Sequence, residues 1–455
     1  MLETKKLDIS IGTRYLIKNL SFTLNQNDKL AIIGEEGDGK STLLQCLANN
    51  CNYAHINGTI NSHNHNIGYL PQIIDYKNKD LLVKNYLFIN DDDYYNKVNL
   101  FYHLLNKLNI KEDILNNNIN LLSGGEKVKI EILKLLLDDS DILLLDEPTN
   151  DLDLNTLKWL ESFIINTNKP IIFVSHDETF LSNTANVILH LEQLKKKQEC
   201  KHTLIKTKYD DYVETRLKHI EHQTQIAYFE KRNLKKQGDK LKQIISKVEY
   251  QQENISRKYP HAAKMLKRKM HSLKHQEKKL ENKEITEIPE VEENINFKFG
   301  TVFIPKYKPI LELINYSLKI NNKILSSPIN LKVIGDEHIV IIGENGTGKT
   351  TLLKEIINIL STRDDITVGY MPQNYDDILS SYKTPIDFLC NNQDKETVTK
   401  ARTFLGNMNF TKEEMMDDIN LLSGGSKAKL FLVKLILEQY NVLILDEPTR
   451  NVSPL

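Results

Sequence analysis

The sequence predicts two copies of one α/β domain joined by a long antiparallel α-helical hairpin, the second copy stopping short. Three observations predict this. Motifs recur in the same order about 300 residues apart, apolar runs lead into glycine loops and then into helically patterned segments, and the stretch between the copies is charged and poor in glycine and proline.

The repeat is the firmest of the three. Leu121-Leu-Ser-Gly-Gly-Glu-Lys-Val-Lys matches Leu421-Leu-Ser-Gly-Gly-Ser-Lys-Ala-Lys, and Ile142-Leu-Leu-Leu-Asp-Glu-Pro-Thr matches Val442-Leu-Ile-Leu-Asp-Glu-Pro-Thr, both offset by 300. Gly68-Tyr-Leu-Pro-Gln recurs as Gly369-Tyr-Met-Pro-Gln, and Gly34-Glu-Glu-Gly-Asp-Gly-Lys-Ser as Gly343-Glu-Asn-Gly-Thr-Gly-Lys-Thr. Within each copy, Leu30–Ile33 and Ile339–Ile342 read as buried strands entering glycine loops, with Leu43–Asn49 and Leu352–Leu360 as the helices that follow. Continuous apolar runs at Ile142–Leu145 and Ile171–Val174 suit a parallel sheet covered on both faces. The expected divisions are residues 1–208, a linker at 209–290, and 291–455.

Composition narrows the function. The 455 residues carry 60 Lys+Arg against 61 Asp+Glu, a formal charge of −1. That balance conceals a basic segment, since residues 195–285 hold 25 Lys+Arg against 12 Asp+Glu. Such asymmetry points to an element facing a polyanion. No run of 18 apolar residues exists, so no membrane-spanning helix is expected. The N-terminus lacks the apolar stretch of a secretory signal. Cys46, Cys51, Cys200 and Cys390 form no CxxC pair, and read as reduced thiols of a cytoplasmic protein.

From Tyr209 to Glu284 there is one glycine, Gly238, and one proline, Pro260. A long helix, a break near Tyr259-Pro260-His261 and a returning helix follow from that texture. Arg257, Lys258, Lys264, Lys267, Arg268 and Lys269 crowd around the break, where Tyr259 and His261 offer stacking surfaces. Cations and rings at a hairpin tip suit RNA phosphates and bases. Composition alone leaves open a solvated coiled coil whose lysines only keep it soluble.

Gly-x4-Gly-Lys-Ser/Thr between a strand and a helix is a phosphate-binding loop. Its glycines turn backbone N–H groups inward as an anion nest, and the helix N-terminus adds positive potential. The first loop comprises Gly34, Glu35, Glu36, Gly37, Asp38, Gly39, Lys40, Ser41 and Thr42. The second comprises Gly343, Glu344, Asn345, Gly346, Thr347, Gly348, Lys349, Thr350 and Thr351. Lys40 and Lys349 would reach the β/γ-phosphates of ATP, and the Ser41 and Thr350 hydroxyls would hold Mg²⁺. Asp146 and Asp446 end apolar strands where a carboxylate completes the Mg²⁺ shell. Glu147 and Glu447 are placed to polarise an attacking water. Gln72 and Gln373 can touch both Mg²⁺ and that water, and His176 the γ-phosphate.

These motifs in this order resemble the ATP-binding cassette superfamily. The resemblance implies two cassettes in a head-to-tail sandwich, with Ser423, Gly424 and Gly425 completing the first ATP site and Ser123, Gly124 and Gly125 the second. Two cassettes in one chain, no membrane span and a charged helical linker resemble the ABC-F subgroup. That likeness implies a monomer with intramolecular cassette pairing, bound at the ribosomal tRNA exit site. Its linker would be directed at ribosomal RNA and the P-site tRNA near the peptidyl-transferase centre. It implies ATP hydrolysis through Glu147 and Glu447, in translation regulation or antibiotic protection of the ribosome. The energising subunit of a transporter and a DNA-acting ATPase with a coiled-coil arm are the alternatives. Neither explains a basic hairpin lying between two cassettes.

The sequence departs from that pattern in four places. Leu455 stands nine residues after Asp446, without a second switch histidine, so an incomplete sequence is expected. Ser426 replaces the Glu126 of the first copy, and Arg450-Asn-Val-Ser replaces Asn150-Asp-Leu-Asp. Glu35, Glu36 and Asp38 place three carboxylates in an anion-binding loop. Either these side chains face solvent or their field weakens ATP binding at the first site, in which case Glu36→Asn should tighten it.

Overall fold

The computed structural model describes residues 2–12, 14–35, 37–72, 81–88, 91–108, 110–150, 152–194, 199–254, 260–281, 304–320, 323–324, 327–343, 347–390, 395–408, 410–438 and 440–448. Two compact units form, Met1–Tyr209 with Asn294–Leu455, and Asp210–Glu293.

The first copy begins with strands β1 (Leu2–Ile11) and β2 (Arg14–Leu24), then β3 (Lys29–Ile33), helix α1 (Lys40–Leu47), β4 (His55–Asn61) and β5 (Ile67–Leu70). It continues through β6 (Ile142–Asp146), β7 (Ile171–Val174), β8 (Val187–Leu194) and β9 (Glu199–Ile205). A six-stranded sheet runs in the order β5-β6-β7-β3-β8-β9. Its first five strands are parallel, and β9 closes the edge antiparallel to β8. Every residue of β3, β6 and β7 is buried, which is what their unbroken apolar runs require when both faces are covered. The second sheet, β2-β1-β4, is antiparallel. Between the sheets, Leu43, Leu44 and Leu47 of α1 join one core with Leu7 and Ile9 of β1 and Leu30 and Ile32 of β3.

This topology decides where chemistry can happen. The carboxyl ends of β3, β5, β6 and β7 open on one rim, delivering the glycine loop, Gln72, Asp146-Glu147 and His176 together. Ligands of open parallel sheets bind outside that rim.

The second copy repeats part of this frame. Val368–Met371 pairs in parallel with Val442–Leu445, in the register by which β5 pairs with β6. Pro309–Tyr316 pairs antiparallel with Ile329–Ile334, and Lys349–Leu360 is helical as α1 is. One expectation fails. Ile339–Ile342 forms no strand and is not buried, with Ile339, Val340 and Ile342 46%, 79% and 72% exposed. In the first copy β3 is held on both sides, by β7 and β8, which come later in the chain. Among the described residues of the second copy, Ile339–Ile342 pairs with no strand.

The other unit contains helices Tyr209–Glu253 and Pro260–Glu281. At 1.5 Å per residue the first is about 68 Å long. Leu241, Ile245 and Val248 of the first helix share a small core with Met270 and Leu273 of the second. The exposed positions of the second helix include Lys264, Lys267, Arg268, Lys269, His271, Lys274, Lys278 and Lys279. Arg257, Lys258 and Tyr259, named as RNA-contact candidates, lie outside the described residues. No described helix is long and apolar enough to cross a membrane.

Candidate functional site

The first glycine loop leaves β3 and enters α1 through Gly39, whose φ of 91° lies where a Cβ is disfavoured. A Cβ at Gly39 would also stand 3.0 Å from the Leu16 side chain. Lys40 turns back over the loop, its Nζ donating to the carbonyls of Gly34 and Glu35 at 2.8 Å each. That arrangement places an ammonium beside the loop amides. Arg14, at the start of β2, donates from Nη2 to the Gly37 carbonyl at 3.1 Å and ties the hairpin β1–β2 to the loop.

At the end of β6, Asp146 is 2% exposed. Its Oδ1 accepts the Ser41 hydroxyl at 2.9 Å, and its Oδ2 the Tyr69 hydroxyl at 3.2 Å. Burial pushes the Asp146 carboxyl up to about 6, against the lowering effect of the Ser41 bond. The neighbouring Glu147 sits at φ 48°, a conformation rare for a residue with a side chain, and Glu447 repeats it at φ 52°. Strain of that kind persists where the surroundings enforce it, often at functional sites. Glu147 accepts from Gln72 Nε2 at 2.9 Å and Asn150 Nδ2 at 2.5 Å, and faces His176 Nε2 at 3.3 Å. Burial alone would raise its carboxyl. The His176 ring, the Asn150 amide and the Lys40 charge together outweigh burial and hold it below the usual range. His176 Nδ1 is buried without a partner.

An open cleft of about 230 Å³ gathers Gly37, Gly39, Lys40, Ser41, Thr42, Gln72, Glu147 and His176. These groups fit a triphosphate carrying a divalent cation. Loop amides and Lys40 would bind phosphate oxygens, while Ser41 and Asp146 would hold the cation, which stabilises negative charge when bound. No cluster of three or more His, Cys, Asp or Glu among the described residues could hold a metal by itself. A cation that takes most of its ligands from phosphate and water needs only one or two such groups. Glu147 then provides a carboxylate that can orient and deprotonate water, with Gln72, Asn150 and His176 fixing its direction.

Of the expected first-site residues, the structure brings the loop, Gln72, Asp146, Glu147 and His176 into one place. Glu36 lies outside the described residues. The solvent-facing reading of the loop carboxylates fails for Asp38, which is 3% exposed and accepts the Glu35 amide at 2.7 Å. A carboxylate can satisfy a loop amide, and this one does so instead of facing water. Sequence reasoning missed Tyr69 and Arg14. Tyr69 had a signal, since Tyr370 recurs beside Gly369, and Lys323 stands at the Arg14 position by the 309-residue loop offset.

Each signature motif starts a helix. Ser123 caps Gly124–Leu137 by accepting the Glu126 amide, and Glu126 returns a bond to the Ser123 amide at 2.9 Å. Ser423 caps Gly424–Leu437 likewise, but Ser426 offers only a hydroxyl, bonded to Ser423 Oγ at 2.9 Å. A Cβ at Gly125 would lie 2.7 Å from Thr156 Oγ1, so helix and neighbour approach too closely for any side chain. In the second copy Gln373 Nε2 donates to Glu447 Oε2 at 2.9 Å, and Lys349 Nζ to the Gly343 carbonyl at 2.8 Å. Asp446 is 6% exposed, and its Oδ2 has no partner among the described residues. Glu344, Asn345 and Gly346 lie outside the described residues.

Glycine loop, buried Asp-Glu pair, histidine and capped signature helix define a nucleotide-binding cassette; the first copy gathers all four, and the described residues of the second repeat the Asp-Glu pair and the capped helix. The chain belongs to the ABC transporter family, whose profile matches residues 17–150 and 326–450. It is therefore an ATP-binding protein of a family whose cassettes bind ATP with Mg²⁺ and hydrolyse it. It is 27% identical over 503 residues to the ATP-binding protein YdiF of Bacillus subtilis (strain 168), covering 100% of this chain and 74% of that one. The ATP-binding protein YheS of Escherichia coli (strain K12) is 26% identical, with 100% and 72% covered. ABC transporter F family member 5 of Arabidopsis thaliana is 29% identical, with 82% and 51% covered.

The buried Asp146 yields a first prediction. Its carboxyl keeps a proton up to about pH 6 in the folded chain, against 3.8 for the ordinary group. Between those values the unfolded chain binds fewer protons, so stability falls as pH rises, and above about 6 the cost is complete. Asp146→Asn removes that cost and should stabilise the nucleotide-free chain by about 1–3 kcal/mol near neutral pH. The gain should shrink as pH falls from about 6 toward 3.8. Thermal unfolding at several pH values checks it, and a gain independent of pH would count against the buried charge.

Proposed function

We propose that the chain is an ABC-F-type ribosome factor in the cytoplasm, with residues 209–290 as a basic helical-hairpin linker between cassettes at 1–208 and 291–455. ATP binding closes the two cassettes as an intramolecular sandwich, Ser423, Gly424 and Gly425 facing the first loop and Ser123, Gly124 and Gly125 the second. The closed form holds the linker in the tRNA exit site, against ribosomal RNA and the P-site tRNA. Hydrolysis through Glu147 and Glu447 then releases it. Ser41, Gln72 and Asp146 would serve Mg²⁺ at the first site, and Thr350, Gln373 and Asp446 at the second. The role would be translation regulation or protection of the ribosome from antibiotics.

The observation that carries this reading is the exposed basic face of helix Pro260–Glu281. Lys264, Lys267, Arg268, His271, Lys274 and Lys278 lie in water while Met270 and Leu273 are buried. A helix that turns Met270 and Leu273 to its own core and presents a row of lysines with Arg268 to water suits a phosphate backbone. The likeness to F family members supports it. A transporter subunit would need membrane partners and gives that face no task.

Charge reversal tests the linker. Lys264→Glu, Lys267→Glu and Arg268→Glu together should weaken binding to purified ribosomes by roughly 10²-fold and flatten its salt dependence by about two to three units of slope. Unchanged affinity and slope would remove this part of the reading.

A further inference from the structure

We propose that Asp38 makes the first phosphate loop selective for a metal-neutralised triphosphate over the free one. One buried carboxylate, absent from the second loop, would set how strongly nucleotide binding depends on magnesium. The proposal rests on the nucleotide-binding reading above and deepens it.

Asp38 is folded under its loop. Its Oδ2 accepts the Glu35 amide at 2.7 Å, and its own amide reaches the Glu35 carbonyl at 3.3 Å. The same oxygen lies 3.0 Å from where a Gly34 Cβ would stand. In the second loop Thr347 holds that position, its Oγ1 lying 3.2 Å from where a Gly343 Cβ would stand. An exposed neutral hydroxyl and a buried acceptor-only carboxylate thus stand at matching positions of two similar loops. The cations do not separate the copies. Lys40 and Lys349 both donate to the first glycine carbonyl of their loop at 2.8 Å. Arg14 on the Gly37 carbonyl has Lys323 at the matching sequence position. Among the described loop residues, a buried carboxylate in the first loop stands where the second has a hydroxyl.

A fixed charge repels a ligand in proportion to the ligand's own charge. ATP carries about four negative charges free and about two as its magnesium complex, so the free form meets about twice the repulsion. The loop of the first copy should therefore discriminate against metal-free nucleotide more sharply than a loop with Thr.

The test is equilibrium binding of a fluorescent ATP analogue to the full chain carrying Lys349→Ala, which silences the second loop. Each variant is titrated with magnesium and with EDTA. Asp38→Asn keeps an oxygen for the Glu35 amide, and Asp38→Thr copies the second loop. Both should tighten binding about threefold with magnesium and about tenfold in EDTA, the larger gain being roughly the square of the smaller. Equal gains in both arms, or none, would overturn the proposal. Weaker binding in both arms would make Asp38 a brace for the loop only, which also overturns it. If the chain with Asp38 intact binds no analogue in either arm, the nucleotide reading of the first loop fails and takes this inference with it.

Discussion

In a chain already carrying Glu447→Gln, Glu147→Gln is expected to lower the remaining ATP turnover by roughly 10²–10⁴-fold, the span over which a positioned general base contributes. The carboxylate stands at the end of β6 with three donors around it: Gln72, Asn150 and His176. Glutamine has nearly the same shape and can still accept from one of these while donating to solvent, so loop geometry and nucleotide affinity should survive. It cannot take a proton from water. Single-turnover phosphate release, set beside nucleotide affinity, separates the two effects. Loss of affinity equal to the loss of rate would mean that Glu147 holds the site together and has no part in the chemistry. His176→Ala should act through Glu147. With the ring gone, the carboxylate loses a group that lowers its pKa and helps aim it, and a smaller fall of about 10–10²-fold is expected.

The largest loss of stability should come from Gly34→Ala. Gly34 has φ 147°, and a Cβ there would lie 2.3 Å from the Leu191 carbonyl oxygen of β8. That oxygen belongs to backbone paired within the central sheet, where Ile33 stands opposite His190, so it cannot swing aside. We expect about 3–5 kcal/mol of destabilisation and a fall in Tm on the order of 10 °C for the first cassette. Gly37→Ala is the control. Its φ of 83° is strained for alanine, but nothing lies within 4 Å of the added methyl, so about 1 kcal/mol should be lost. Calorimetry of both variants decides. Equal effects would mean that backbone strain, and not the contact with β8, fixes glycine at position 34.

Much of this was legible in the sequence because phosphate binding needs fixed residue types at fixed spacing. The loops, Gln72, the Asp146-Glu147 pair and His176 follow one another along the chain, and the topology gathers them on one rim. Less legible were groups whose role depends on distance alone. Tyr69 looks like one aromatic in an apolar strand until its hydroxyl reaches Asp146. Arg14 lies 23 residues from Gly37 in sequence and becomes part of the loop only through the β1–β2 hairpin. Ile339–Ile342 shows the reverse case. Its apolar run is as strand-like as that of β3, but β3 is held by pairing with β7 and β8 on either side, and hydrophobicity does not encode a neighbour. Asp38 illustrates a charge misread for want of a partner, since nothing in Gly-Asp-Gly reveals that the Glu35 amide turns toward it.

If ATP-driven closure commits this chain to the ribosome, the bound state should depend on nucleotide. Co-sedimentation of the full chain carrying Glu147→Gln and Glu447→Gln with purified ribosomes, with ATP and without, tests it most directly. Pelleting should require ATP and be lost when residues 209–284 are shortened. No association at low salt, or pelleting indifferent to ATP, would contradict it.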